Sequence, residues 1–244
     1  RASWCGRSTS SKHATTEPDD RAASMPNSPL RLILLIALFA FLVTSVQLGL
    51  LQVAFHKLGL EPRSAYLLLS TSLFGSLLNL PLFSVPAEAP PEDEVPRQLR
   101  ELFGLSRQAF TGRTIVAVNV GGCVVPVAFC IYLLAHTVLD PASVIVAIGV
   151  VAAVSWLTSF PQRGVGIAMP FLVAPATAAA AAMVLDFEHA AALAYIGGTL
   201  GVLIGADLLR LNQVGKLGAP VASIGGAGTF DGIVLTGLLA VLLA

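Results

Sequence analysis

Two carboxylates, Asp207 and Asp231, are set into runs of sequence that are otherwise apolar. An ionised Asp at the centre of a bilayer costs at least about 2.5–3.5 kcal/mol on insertion scales, so such residues face a partner, a cavity or a water path. A pair of acids near one membrane face can bind a cation, relay protons or share a proton as a catalytic dyad. The stretch between them supplies further groups. Ser223-Ile-Gly225-Gly226-Ala-Gly228-Thr229 is poor helix material. It predicts an unwound segment, with Thr229 as N-cap of a helix carrying Asp231 in its first turn. Non-helical backbone beside an acid is the pattern of an ion or substrate site in broken-helix transporters. Asp207, Asp231, Thr229, Gly226 and Gly228 are therefore the candidate solute or ion ligands, and Asn79 and Asn119 add neutral polar groups from earlier runs. The structural alternative pairs Asp207 with Arg210 and makes Asp231 a helix-start residue.

These residues are carried by apolar runs long enough to cross a membrane, which needs about 20 residues each. Seven such runs cover approximately residues 32–55, 65–84, 114–135, 141–160, 166–185, 190–209 and 221–244. The expected fold class is all-α: a polytopic transmembrane bundle of about seven helices. Gly197, Gly201 and Gly205 recur every four residues, a stripe that lets a second backbone approach closely. Pro170 and Pro175 predict a kinked fifth helix. Asn119-Val-Gly-Gly and Ser223-Ile-Gly-Gly look alike over a few residues, too short a likeness to establish an internal repeat.

Composition agrees with a membrane class. Hydrophobic residues make up 55 %, charged residues 11 %, and mean hydropathy is +0.82, whereas soluble domains average about 25 % charged. A net charge of zero leaves no nucleic-acid footprint. The three cysteines, Cys5, Cys123 and Cys130, imply no disulfide framework. The four histidines are expected in tails or loops and have no second ligand at metal spacing, so no metal or cofactor is expected. Gly215-Lys216 lacks the rest of a phosphate loop, Gly226-Ala-Gly228 lacks dinucleotide spacing, and no GxSxG elbow occurs.

Outside the spans, residues 1–24 are polar and predict a disordered tail, and the start-like MPNSPLRLILLIALF from Met25 suggests that they are extraneous to the native protein. A single transmembrane domain is expected over 25–244. Residues 85–113 form its main loop: an extended acidic linker at 85–96, then RQLRELFGLSRQAF (97–110) as a short amphipathic surface helix. With seven spans, one side carries Arg31, Arg97, Arg100, Arg107, Arg113, Arg163, Arg210 and Lys216, and the other only Lys57 and Arg63. This asymmetry predicts a cytoplasmic N-terminus, an external C-terminus and both acids toward the cytoplasm.

The run YIGGTLGVLIGADLLRL (Tyr195–Leu211), followed by KLGAPVASIGGAGTFDGIVLTGLLAVLLA (Lys216–Ala244), resembles a prokaryotic membrane family catalogued as domain of unknown function 1614. FGSLLNLPLF, TIVAVNVGGCVVPV and GVGIAMPFLVAP are similar to it as well, so the resemblance extends from about Leu32 to Ala244. It implies an integral protein of a bacterial or archaeal cytoplasmic (inner) membrane and supplies no activity. The residues that match its patterned blocks are Asn79, Asn119, Gly121, Gly122, Pro126, Pro170, Pro175, Asp207, Gly226, Gly228, Thr229, Asp231 and Gly232.

The leading expectation is a small-solute or ion transporter or permease-like protein, with the lipid bilayer and a small solute or cation as partners. The second is an intramembrane aspartyl protease with an Asp207/Asp231 dyad, an arrangement similar to GxGD enzymes although GxGD itself is absent. The third is a non-catalytic scaffold or assembly factor whose glycine stripe binds partner helices in an oligomer.

Overall fold

A computed structural model describes residues 44, 49–88, 112–162, 166–219, 221–226 and 232–244. The chain divides into two units, Arg1–Ser45 and Val46–Ala244, and apart from Thr44 the described residues all belong to the second. The tail at 1–24, most of the first predicted span, the surface helix at 97–110, and Gly228, Thr229 and Asp231 lie outside the described residues.

The fold is mostly helical but not all-α, because four of the predicted spans are part strand and part helix. Helical residues 49–57 lead through a turn into α1 (Pro62–Gly75), and the chain then enters β1 (Asn79–Pro86) instead of continuing as helix to residue 84. The third run opens as β2 (Arg113–Asn119), passes through a π-helical turn (Val120–Val124) and becomes α2 (Val125–His136). The fourth run is helical as expected, α3 (Pro141–Thr158). The hairpin β3 (Phe160–Gln162) and β4 (Gly166–Ala168) precedes α4 (Val173–Leu185). The sixth run is α5 (Ala190–Val202), a π-helical turn (Leu203–Asp207) and a 3-10 helix (Leu208–Lys216). The last is β5 (Val221–Ile224) and α6 (Gly232–Leu243). The strand pieces are Val-, Ile- and Thr-rich (TIVAV, VASI), and β-branched residues fit a pleated surface better than a helix.

The main sheet has the order β1-β2-β5. β1 and β2 are antiparallel, with Asn79 opposite Asn119 and Pro86 opposite Arg113, and a register shift falls between Pro81 and Phe83. That is where proline, which has no N–H to give to the ladder, is tolerated. β2 and β5 are parallel, from Ile115 opposite Val221 to Val118 opposite Ile224. The Gly-Gly likeness thus has a physical counterpart: the two segments run side by side, and each strand leads toward a helix.

α5 is the core. Leu193, Ala194, Ile196 and Thr199 are fully buried, and α3, α4 and α6 pack around the helix. Its residues are small enough to let every neighbour close in. A Cβ on Gly198 would touch Ala178 of α4 at 3.4 Å and Thr236 and Ala240 of α6 at 3.5 and 3.6 Å. On the α3 side, a Cβ on Gly197 would lie 3.2 Å from the Ala147 Cβ, one on Gly201 2.5 Å from the Val151 Cβ, and one on Gly205 2.2 Å from the Ala152 carbonyl oxygen. The glycine stripe is therefore occupied by α3 of the same chain, which corrects the expectation that it is a free surface for partner helices.

The outer faces stay apolar: Ile145 and Leu157 of α3 are 70 % and 71 % exposed. Among the described residues two helices, Pro141–Thr158 and Ala190–Lys216, are long and apolar enough to cross a membrane.

Candidate functional site

Asp207 closes the π-helical turn at the point where α5 gives way to the 3-10 helix. Such turns occur where a helix is re-aimed, often at functional positions. Here the turn is pressed against α3 through Gly205, which leaves no room for a side chain. The half-buried carboxylate is thereby aimed at the end of β5, where its Oδ2 accepts the Gly225 N–H at 2.9 Å. Gly225 and Gly226 have φ of +82° and +88°, a region that side chains with a Cβ rarely adopt. A Cβ on Gly225 would also lie 2.7 Å from Cys123 Cβ and from the Gly122 carbonyl carbon. The two Gly-Gly turns thus fit against each other because both lack side chains.

Beside Asp207 is a cavity of about 280 Å³. Its walls include Leu211 and Val214 from the 3-10 helix, Val221–Ile224 along β5, Ile167 of β4, and Gly226. Among the described residues that line it, Asp207 is the one ionisable group.

A polar brace crosses the sheet next to this site. Buried Asn119 donates from Nδ2 to the Ser76 carbonyl at 2.7 Å and to Asn79 Oδ1 at 3.1 Å, and its Oδ1 accepts the Gly122 N–H at 2.7 Å. Ser223 Oγ donates to the same Asn79 Oδ1 at 2.6 Å. Ser72 Oγ donates to the Gly121 carbonyl at 2.7 Å, which holds α1 on the π-helical turn. These bonds tie β1, β2, β5 and α1 together at the end of the sheet where β2 and β5 finish.

Arg210 reaches the C-terminal end of α3, donating to the carbonyls of Trp156 and Ser159, and its guanidinium carbon lies 5.7 Å from the centre of the Trp156 ring. It also donates to Gln213 Oε1 at 3.1 Å. A cation on the free carbonyls of a helix end is favourable, and the contact fixes the 3-10 helix, and with it Asp207, to α3.

Of the residues singled out from sequence, Asp207 and Gly226 line one cavity. Asn79 and Asn119 meet each other near it, as a brace rather than along its wall. Thr229, Gly228 and Asp231 lie outside the described residues. Ser223 and Ser72 belong to the arrangement without having been expected there, and Arg210, expected beside Asp207, donates to the carbonyls of Trp156 and Ser159. Ser223 had a signal in its position two residues before Gly225, but Ser72 had none, since a serine in an apolar helix is unremarkable. His56, expected in a loop, sits in helical residues 49–57.

A family model described as "Protein of unknown function (DUF1614)" matches residues 73–243, which take in the sheet, the bundle and the Asp207 cavity. No curated protein and no solved structure matches the chain.

Proposed function

The chain belongs to the DUF1614 family, whose model covers more than two thirds of it, and from that premise we propose that it is an integral membrane protein that moves a small solute or ion through a site at Asp207. The observation that carries this reading is the carboxylate itself. It is half-buried, held by the Gly225 N–H and set beside a cavity where α5 breaks into π- and 3-10-helical turns. A charged group in that setting is costly unless it has work to do, and broken helices are where transporters place their sites.

The bundle supports the membrane setting. Exposed apolar side chains cover α1, α2 and α3, a surface that water does not favour. Among the described residues there are seven helical segments, the first ending at residue 57. α2 and α6, at 12 residues each, would span only about 18 Å of a core roughly 30 Å thick. We place the sheet at headgroup level, where its edges can meet water. Arg113, Arg210 and Lys216 lie on the sheet side. Lys57 donates to the Val241 and Leu242 carbonyls at the other end of α6, where Arg63 is the second basic residue among loops that carry Glu61, Asp140, Asp186 and Glu188. The positive-inside rule then puts the sheet in the cytoplasm and the end of α6 outside.

The test is flux into proteoliposomes holding purified protein under an imposed proton or sodium gradient. Gradient-dependent uptake that Asp207→Asn lowers at least tenfold, with the thermal midpoint kept, is the expected result. Uptake unchanged by the substitution removes Asp207 from the mechanism.

A further inference from the structure

We propose that the groove between helical residues 49–57 and α1 is a phospholipid site that selects anionic over zwitterionic headgroups. The proposal rests on the membrane setting given above and is independent of the Asp207 cavity and of any transport step.

The apolar wall gives the class of ligand. The groove holds about 470 Å³, inside the range of about 300–1,000 Å³ usual for ligand sites. Leu51, Val53, Phe55, Leu60, Ala65 and Leu69 line it. Lipid tails are as apolar as Leu, so this wall accepts an acyl chain without distinguishing one phospholipid from another. A soluble phosphate would leave that length of wall unused.

The polar residues of the same wall give the selectivity. His56 and Lys57 are both exposed there. They adjoin the turn at 58–60, where the chain passes between the two helices, so in a bilayer they meet headgroups while the apolar wall meets tails. Lys57 Nζ reaches the Val241 and Leu242 carbonyls at 3.4 and 3.5 Å. Those contacts hold the charge in place and use two of the three donors of an ammonium. Among the described residues the His56 side chain makes no hydrogen bond, and it presents an imidazole N–H in either tautomer. Gln52 Nε2 donates to Tyr66 Oη at 3.5 Å, which leaves the tyrosine hydrogen for a lipid oxygen. Lys57, His56 and Tyr66 can thus donate to one phosphate. A zwitterionic lipid offers the same phosphate but brings a cation with it, which Lys57 opposes.

The backbone favours the same sign. α1 begins in the groove wall at Pro62, and the start of a helix favours an anion. The carbonyls that end the first helix, those of Ala54, Phe55 and His56, are already taken by the N–H groups of Leu58, Leu60 and Gly59. Glu61 and Arg63, on either side of Pro62, carry opposite charges and do not line the groove.

The experiment is native mass spectrometry of the purified full-length protein, equilibrated in detergent with equal amounts of phosphatidylglycerol and phosphatidylcholine of matched acyl chains. Phosphatidylglycerol adducts should exceed phosphatidylcholine adducts by about fivefold or more, the factor that one basic residue near an anionic lipid surface supplies. Lys57→Gln, which keeps a donor for the α6 carbonyls, should bring the ratio near one. His56→Glu should lower it as well, and Arg113→Gln, beside the sheet, should leave it unchanged. A ratio near one in the unaltered protein, or a high ratio that both Lys57→Gln and His56→Glu leave intact, overturns the proposal. So does displacement of the lipid by excess glycerol 3-phosphate, which would mark a soluble-phosphate site, and so do lipid-free dimers, which would put a second copy in the groove. If Lys57→Gln does not fold, His56→Glu decides, since it breaks no side-chain bond. A protein that stays in solution without detergent fails the membrane setting itself, whereas a detergent-dependent protein with no headgroup preference fails only this inference. Headgroup selection without flux leaves the inference standing and removes only the transport reading.

Discussion

Asn119 makes three hydrogen bonds from one buried side chain, to Ser76, Asn79 and Gly122. Asn119→Ala strands the buried Gly122 N–H and the Ser76 carbonyl. The expected cost is about 2–4 kcal/mol, since each unsatisfied buried group costs about 1–3 kcal/mol. Thermal or denaturant unfolding in detergent measures it, and a loss under about 0.5 kcal/mol would mean that the brace is not stabilising. Gly225→Ala meets two obstacles at once, a left-handed φ and a neighbour at 2.7 Å. It should both destabilise the protein and loosen the Asp207 contact, so binding or flux should fall together with the melting temperature. At this scale the sequence was informative about which residues matter, because a polar group in an apolar run stands out. It was uninformative about their roles. Asn79 and Asn119 are separated by 40 residues, and only the β1–β2 register brings them face to face.

The stripe Gly197-Gly201-Gly205 was legible because a period of four marks one helix side, but the sequence did not say that the surface facing it is α3. Gly201→Leu should push α5 from α3 and cost more than about 3 kcal/mol, beyond the usual range for overpacking because a backbone must move. Gly149→Ala is the matched control. It is an exposed glycine inside α3 with nothing within 4 Å of its Cβ position, so stability should rise by up to about 1 kcal/mol from helix propensity. Comparable effects at the two positions would argue against the packing described for α5. The strands escaped detection for a related reason: a short apolar run has no period that separates a buried strand from a helix. At the far loops the helix starts are pH-sensitive. Ser143 N–H donates to Asp140 and His189 N–H to Asp186, and these bonds hold both carboxyls below their ordinary range. A depressed carboxyl pKa contributes stability above its unfolded value, near 3.9, and loses it as pH falls through the lower folded value. The thermal midpoint should therefore drop as pH is lowered below about 4, and Asp140→Asn should remove part of that dependence.

For the molecule as a whole, charge was the readable feature. Among the described residues Arg113, Arg210 and Lys216 lie by the sheet, while Glu61, Asp140, Asp186 and Glu188 share the opposite loops with Lys57 and Arg63, and the prediction is topological. A cysteine at Lys216 should react with a membrane-impermeant maleimide only in opened vesicles, while one at Glu188 should react in intact cells. Labelling of both from the same side would overturn the proposed placement of the sheet. The sheet itself could not be foreseen, because it joins segments remote in the chain. Its central strand, β2, is flanked by β1, about 30 residues earlier, and by β5, about 100 residues later. That separation bears on biogenesis. During synthesis β2 emerges long before its parallel partner and must wait with one side unpaired, an invitation to wrong pairing. Only β5 and α6 (Val221–Ile224 and Gly232–Leu243), much later in the chain, complete that side and bring Gly225 to Asp207. A ribosome that stops at residue 216 would release a chain holding most of the helices, yet without the Gly225 contact and with a sticky flank, ready for quality-control proteases.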